Sequence, residues 1–271
     1  MCSRNHSGKD GASVMTRVGK LQLCIPVLTL VACGAEPLES RTDSDNIQLG
    51  VTPLSLSEVG GSLLTTAVLN ASNAATMGQN QTARKVLAFA VACALNNTQS
   101  VTYTVGGTSY TETGMLGMAP GWKSTSLSAS EAAWVSACMF SHVNEVTHLV
   151  WLSLRGAQSS LATTTDEQND YKVEEGAFWG NVFTNLGAVH GYSCLGVDQA
   201  ATDSYGELPY RNCAQWDGVS GSNASPCGMS YAGLCRTACT TASAPYAGCS
   251  FQGSSAAASV VTIFLAGALP P

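Results

Sequence analysis

The sequence is poor in charged residues. Asp, Glu, Lys and Arg make up 11% of its 271 residues, against roughly 25% in an average soluble protein. Small and uncharged polar residues take their place, a composition typical of loop-rich exported proteins rather than of cytosolic enzymes. A hydrophobic fraction of 45% still allows the chain to bury a sizeable core.

Basic residues are scarcest beyond residue 32. Four of the 12 Lys and Arg residues and one of the 18 Asp and Glu residues precede Cys33, which leaves 8 bases, 17 acids and a net charge of −9. Nucleic acid and anionic lipid are bound by clusters of bases that neutralise phosphates. We therefore expect no nucleic-acid partner.

An apolar run near the amino terminus is too short to cross a bilayer as a helix. Residues 21–32, preceded by Arg17 and Lys20, form about a dozen mostly apolar positions, whereas a hydrocarbon core of ~30 Å requires about 20. Basic residues followed by such a run are typical of an export signal. A compact basic segment also begins at Met15, which is a candidate start in place of Met1.

The end of this run resembles the lipobox of bacterial lipoproteins. In Leu30-Val-Ala-Cys33-Gly34 a branched apolar residue stands three places before a cysteine that small residues flank. The resemblance implies cleavage before Cys33, lipidation of Cys33 and, because Gly34 rather than Asp follows, sorting to the outer membrane. The alternative is an ordinary secretory signal with an incidental cysteine.

Composition divides the chain into four predicted parts. Residues 1–32 form the signal peptide, 33–60 a polar and flexible tether, and 61–189 an α+β core. Residues 190–271 form a subdomain rich in Gly, Ser and Cys, whose final strand returns to the core. Since this last part has few apolar residues, it requires covalent cross-links to stay folded.

The cysteines supply such cross-links. Of eleven, Cys2 and Cys24 precede the predicted cleavage and Cys33 carries the lipid. An even eight in an exported chain predicts disulfides. The absence of any CxxC pair and of histidines after His190 predicts no metal site, and the sequence predicts no cofactor. The eight are Cys93, Cys138, Cys194, Cys213, Cys227, Cys235, Cys239 and Cys249.

Two of the eight lie in predicted helices. Residues 82–95 are apolar on every face, which predicts a buried helix, and residues 128–144 open with a capping box. Because the other six cysteines cluster toward the carboxyl end, we predict the pair Cys93–Cys138.

Strand signals complete the fold prediction. Residues 101–111 alternate β-branched or aromatic with polar side chains around Gly-Gly, which predicts a hairpin. Residues 148–154 and 171–183 predict further strands, and 61–76 a short helix. We therefore expect an α+β fold, in which a helical core packs on a small antiparallel sheet and a disulfide-rich irregular part follows.

Catalytic motifs are weak. Gly-Met-Ser-Tyr-Ala around Ser230 approximates a nucleophile elbow, but no strand precedes it and no histidine follows it. The spacing of His142, Glu145 and His148 matches neither HExxH nor HxxEH, so we interpret them as packed or solvated residues.

The strongest chemical candidate is the pair Glu174 and Glu175. Adjacent strand residues point to opposite faces, so the two cannot jointly flank one bond. One of them is a candidate for a cleft lined by Phe178, Trp179 and Trp216, since an acid beside aromatic rings is typical of carbohydrate sites.

The segments 86–95, 116–122, 130–143 and 174–183, with the downstream cysteines, resemble a set of uncharacterised exported bacterial proteins. The resemblance covers most of the mature chain and implies secretion but no activity. We expect a lipid-anchored envelope protein of binding or structural role, with a glycan or another envelope protein as partner. The alternative is a cell-surface hydrolase that acts on a glycan or peptide through Glu174 or Glu175.

Overall fold

A computed structural model of the chain describes residues 40–43, 46–50, 54–144, 150–184, 189–196, 213–254 and 256–266. These residues form an α+β fold, as predicted. The helices are α1 (Leu56–Gly60), α2 (Ala71–Met77), α3 (Gln81–Ala94), α4 (Ala129–Ser141), α5 (Thr165–Asp170) and α6 (Cys235–Ala238). The strands are β1 (Ser40–Asp43), β2 (Asn46–Gly50), β3 (Ser100–Val105), β4 (Thr108–Thr113), β5 (Trp151–Arg155), β6 (Tyr171–Asn181), β7 (His190–Leu195), β8 (Ser230–Leu234) and β9 (Val261–Ala266).

The two longest helices begin at polar caps. The Asn80 side chain accepts a hydrogen bond from the backbone of Ala83 at the start of α3. Ser128 and Glu131 form the predicted capping box at the start of α4. Each cap satisfies backbone N–H groups that the helix itself leaves without a partner. The helix predicted over 61–76 is wrong in its extent, because α2 begins only where Asn70 caps it.

Seven strands form one sheet in the order β1-β2-β5-β9-β6-β7-β8, and β3 pairs with β4 in a separate hairpin. All neighbouring strands are antiparallel except β7 and β8, which are parallel, so the sheet is mixed. With seven strands it is also larger than predicted. The final strand β9 lies between β5 and β6. Its sequence Val-Thr-Ile-Phe-Leu-Ala is apolar and largely buried, as a central strand requires.

Two predicted boundaries need correction. The described residues of the predicted tether 33–60 form β1, β2 and α1 rather than a flexible segment. Strand β2 joins the sheet by pairing with β5, where Leu49 lies opposite Leu152. The predicted subdomain from residue 190 onward is not separate, because β7, β8 and β9 belong to the main sheet.

The apolar core has one part on each side of this sheet. The larger part gathers α3, α4 and one sheet face and includes Val135, Phe140 and Phe178. The smaller part lies on the opposite face, where Trp179 and Tyr246 pack against the carboxyl-terminal cysteines. The carboxyl-terminal part therefore covers a sheet face that would otherwise meet water.

All eight predicted cysteines are paired in four disulfides. Cys93–Cys138 joins α3 to α4 and confirms the predicted pair. The six cysteines nearer the carboxyl end pair among themselves. Their disulfides are Cys194–Cys235, Cys213–Cys227 and Cys239–Cys249.

Within the described ranges, none of the helices combines the length and the apolar character that crossing a lipid bilayer demands.

Candidate functional site

The two candidate glutamates are buried on opposite faces of β6. Glu174 is 7% exposed and its Oε1 accepts a hydrogen bond from the Tyr246 hydroxyl at 2.7 Å. Glu175 is 1% exposed and its Oε1 accepts a hydrogen bond from the backbone N–H of Cys213 at 3.2 Å. Both carboxylates thus satisfy buried donors of the carboxyl-terminal segment. This burial argues against the hydrolase alternative.

A β-bulge sets which way the glutamates point. The pairing of β6 with β9 shifts register between Glu174, opposite Phe264, and Gly176, opposite Ile263. The extra residue, Glu175, changes the parity of the strand. Gly176 has a φ of 155°, a conformation that favours glycine.

The predicted cleft of Phe178, Trp179 and Trp216 is wrong. Phe178 is buried in the larger core and Trp179 in the smaller core, on opposite sides of the sheet. Trp216 lies in the segment between Cys213 and Cys227 and is exposed. Alternation along β6 separates the first two rings, so they cannot line one cleft.

The histidine candidate is a packed residue. His142 is 1% exposed at the end of α4, and its Nδ1 lies 2.7 Å from the carbonyl oxygen of Cys138, a contact that requires the proton on Nδ1. The nearby sulfurs of Cys93 and Cys138 form a disulfide and are not thiolate ligands. The partner candidates Glu145 and His148 lie outside the described residues, as does Cys33.

The serine candidate lacks the surroundings of a nucleophile. Ser230 is the first residue of β8, whereas an elbow places its serine after a strand and before a helix. The backbone therefore does not present its hydroxyl on a strand-to-helix turn.

An open cavity of about 480 Å³ lies where α1 meets the start of α3. Its one charged lining residue is Glu58, which pairs with Lys85 at 2.8 Å. The cavity thus offers polar but neutralised groups. It is lined by Ser57, Glu58, Gly61, Asn80, Gln81, Thr82 and Ala83.

Where the structure describes the chain, the exposed large hydrophobic side chains lie in residues 213–227, which we call the Trp216 loop. Among the described residues, Trp216 at 44% and Val219 at 58% are the large hydrophobic side chains that face solvent. The disulfide Cys213–Cys227 closes the loop. Because binding residues are concentrated on loops that a rigid scaffold positions, the Trp216 loop is a candidate binding surface.

Internal hydrogen bonds hold the Trp216 loop in one conformation. The indole Nε1 of Trp216 donates to the carbonyl oxygen of Ser222 at 2.9 Å. The Asp217 carboxylate accepts from the backbone N–H of Val219 and from the Ser222 hydroxyl, both at 2.9 Å. The backbone N–H of Asp217 donates to the carbonyl oxygen of Ala224 at 3.0 Å. The loop is therefore ordered before any ligand arrives.

The β3–β4 hairpin presents a second uncharged surface. Every residue on its outer face carries a hydroxyl group, and Thr102 and Thr111 are hydrogen-bonded to each other at 2.8 Å across the strands. The face thus shows solvent a regular array of hydroxyls. Its members are Ser100, Thr102, Thr104, Ser109, Thr111 and Thr113.

The inner face of the hairpin carries an acid that is partly withdrawn from water. The Tyr103 hydroxyl donates to Glu112 at 2.9 Å, and the Arg84 guanidinium lies 4.3 Å from the centre of the Tyr110 ring. Burial raises the pKa of Glu112 above 4.5, and Tyr103 and Arg84 offset only part of the rise. Burial and the neighbouring Glu112 also raise the pKa of Tyr103.

We expect Glu112→Gln to stabilise the protein at neutral pH. The folded state holds the Glu112 proton more tightly than the unfolded chain, so the free energy of unfolding falls as pH rises from 4.5 through the folded-state pKa. Because glutamine does not titrate, the variant escapes this decrease, and its free energy of unfolding at neutral pH should be higher by on the order of 1 kcal/mol. Urea unfolding across pH should show little difference below pH 4.5.

Glu58→Gln is the matched control with the opposite sign. Burial raises the pKa of Glu58, but hydrogen bonds from Lys85 and Ser55 outweigh it and lower the pKa overall. This substitution should lower the free energy of unfolding by up to about 1 kcal/mol at neutral pH. The difference from wild type should vanish as pH falls through the folded-state pKa of Glu58. Equal responses of the two variants to pH would contradict the assignment.

Comparisons with known protein families, with curated proteins and with solved structures found no significant match to this chain.

Sequence reasoning found Trp216 but placed it in the wrong setting. Val219 and Asp217, its neighbours in the loop, were missed as site residues. The available signals were the Asp217-Gly218 turn and the short spacing between Cys213 and Cys227, which together predict a closed loop.

Proposed function

We propose that this chain is a lipid-anchored protein of the bacterial cell envelope that has a binding role and presents the Trp216 loop to its partner. The anchor is the acylated Cys33, and the location is the outer membrane. The partner is a glycan or another envelope protein.

The observation that carries this proposal is the pairing of all eight cysteines beyond Cys33 in disulfides. Structural disulfides form and persist in oxidising compartments and are rare in the cytosol. The pairing thus agrees with the export signal, which is an independent feature of the sequence. Two independent features that require the same compartment support it more strongly than either alone.

The lipobox-like sequence supports the anchor. Diacylglycerol would be attached to the Cys33 sulfur through a thioether, and cleavage before Cys33 would then leave the lipidated cysteine at the new amino terminus. Since each buried CH₂ contributes about 0.8 kcal/mol, several acyl chains hold a protein on a membrane. Gly34 in place of Asp favours the outer membrane.

Binding is favoured over catalysis by the contrast between the acids and the loop. Glu174 and Glu175 are buried and satisfy donors inside the protein. Trp216 and Val219 face solvent on a loop held by a disulfide. A surface of this kind provides contact area but no convergent titratable groups.

Replacement of Cys33 by serine tests the anchor. We expect wild-type protein in growing bacteria to incorporate labelled palmitate and to sediment with membranes, and Cys33→Ser to incorporate none, because serine cannot form the thioether. Cys24→Ser is the matched control, since it removes a thiol from the leader without touching the acylation site. Equal labelling of Cys33→Ser and wild type would refute the anchor.

A further inference from the structure

We infer that the ligand of the Trp216 loop is a neutral saccharide that stacks on the Trp216 indole. The inference rests on the proposed binding role and adds the chemical class of the ligand. It follows from the ring, the charge, the rim and the rigidity of the loop.

The polar atom of the Trp216 ring is not available to a ligand. Its single donor, Nε1, is already bonded to the carbonyl oxygen of Ser222 at 2.9 Å. Because that donor is engaged, what Trp216, which is 44% exposed, can offer a ligand is ring carbon. An aromatic face carries negative charge density, and the C–H groups on one face of a pyranose carry a weak positive charge. When a sugar ring stacks on the indole, its C–H groups and the aromatic face attract each other.

The loop carries no base that could bind an anionic ligand. Between Cys213 and Cys227 the sequence contains no Lys, Arg or His, and Asp217 is its one charged residue. Both oxygens of Asp217 accept hydrogen bonds inside the loop, from Val219 and Ser222. Phosphates and carboxylates are recognised by Arg and Lys. The loop therefore suits an uncharged ligand.

The rim of the loop can exchange hydrogen bonds with hydroxyl groups. Ser220 and Asn223 of the same loop are exposed, and Gln215, which precedes Trp216 in the chain, is half-buried. Hydroxyl and amide side chains both donate and accept, as sugar hydroxyls do. This mixture on the loop that carries the aromatic ring matches the two-sided chemistry of a saccharide, which is apolar on its C–H face and polar at its edge.

The size of the apolar surface disfavours a protein as the ligand. Stable protein interfaces bury roughly 800 Å² on each partner around a well-packed apolar centre. Within the described residues only Trp216 and Val219 are exposed large hydrophobic side chains. Two side chains suffice for one or two sugar rings. Because the disulfide and the internal hydrogen bonds fix the loop beforehand, little ordering has to be offset on binding.

Titration with oligosaccharides tests the inference. The probes are neutral hexasaccharides of glucose, N-acetylglucosamine, xylose and mannose, added up to millimolar concentration to the full-length protein in detergent. We expect at least one to bind, and Trp216→Ala to weaken that binding at least about tenfold. Trp216→Phe, which keeps an aromatic face, should restore most of the affinity. Thermal unfolding should show that all variants are folded.

Trp216→Leu separates the classes of ligand. An apolar protein or lipid partner should tolerate leucine, which keeps an apolar contact, whereas a saccharide that stacks on the indole should lose most of its binding. Absence of binding by all four probes, or binding that Trp216→Ala leaves unchanged, would overturn the saccharide inference. Either result would leave palmitate labelling at Cys33 unaffected, so the two proposals fail separately.

Discussion

Gly176→Ala is expected to prevent folding or to lower the free energy of unfolding by at least about 3–5 kcal/mol. A Cβ atom at this position would collide with the carbonyl oxygen of Cys194 on β7 and would lie 2.6 Å from the Cβ of Ala214. The backbone φ of 155° is also one that alanine rarely adopts. Gly176 lies directly after the bulged residue Glu175, where β6 comes close to β7.

Gly233→Ala separates these two causes. Gly233 has a φ of 88°, but a Cβ there would meet no atom within 4 Å. Since only the backbone strain remains, we expect this control to lower the free energy of unfolding by only about 1–2 kcal/mol. Urea unfolding of the two variants measures the difference. If the two variants lost equal stability, this would contradict the close approach of Gly176 on β6 to the Cys194 carbonyl oxygen on β7.

Removal of the Cys93–Cys138 disulfide is the second large effect. The cross-link spans 45 residues, and loop-closure entropy for that length predicts a loss of about 4 kcal/mol in the Cys93→Ala, Cys138→Ala double variant. The two sulfurs also pack between α3 and α4, where both cysteines are buried. Urea unfolding without reductant gives the change directly.

The Cys239–Cys249 disulfide provides the comparison. It spans 10 residues, for which the same entropy argument predicts a loss of about 3 kcal/mol. We expect the Cys239→Ala, Cys249→Ala double variant to unfold at a higher urea concentration than the variant that lacks Cys93–Cys138. The reverse order would show that packing within the smaller core outweighs chain entropy.

Elements that depend on local chemistry could be predicted from the sequence. The helix at 82–95, the capping box at Ser128 and the Gly-Gly hairpin all follow from neighbouring residues. The pair Cys93–Cys138 could also be predicted, because these two cysteines lie far from the other six.

The candidate site could not be predicted in the same way, because it depends on distant contacts. Phe178 and Trp179 are adjacent in sequence, and nothing local shows that the carboxyl-terminal segment buries Trp179. Likewise, the role of Glu174 depends on Tyr246, which is 72 residues away. Long-range pairing of this kind leaves no signal in one sequence.

The exposure of Trp216 also depends on contacts that the sequence does not show. A tryptophan in a glycine-rich segment could be either packed or presented, and composition does not distinguish the two. The internal hydrogen bonds of Asp217 and Ser222 decide the outcome, because they close the loop on itself and leave the indole outside. Only the folded chain reveals that geometry.

The proposed envelope location is tested by the intact mass of the protein extracted from bacterial membranes with detergent, without reductant, and alkylated after denaturation. We predict a chain that begins at an acylated Cys33 and carries no alkylated cysteine, since the eight others are paired. A chain that retains the leader, begins beyond residue 33 without lipid, or is alkylated at all eight positions would contradict the proposed envelope location.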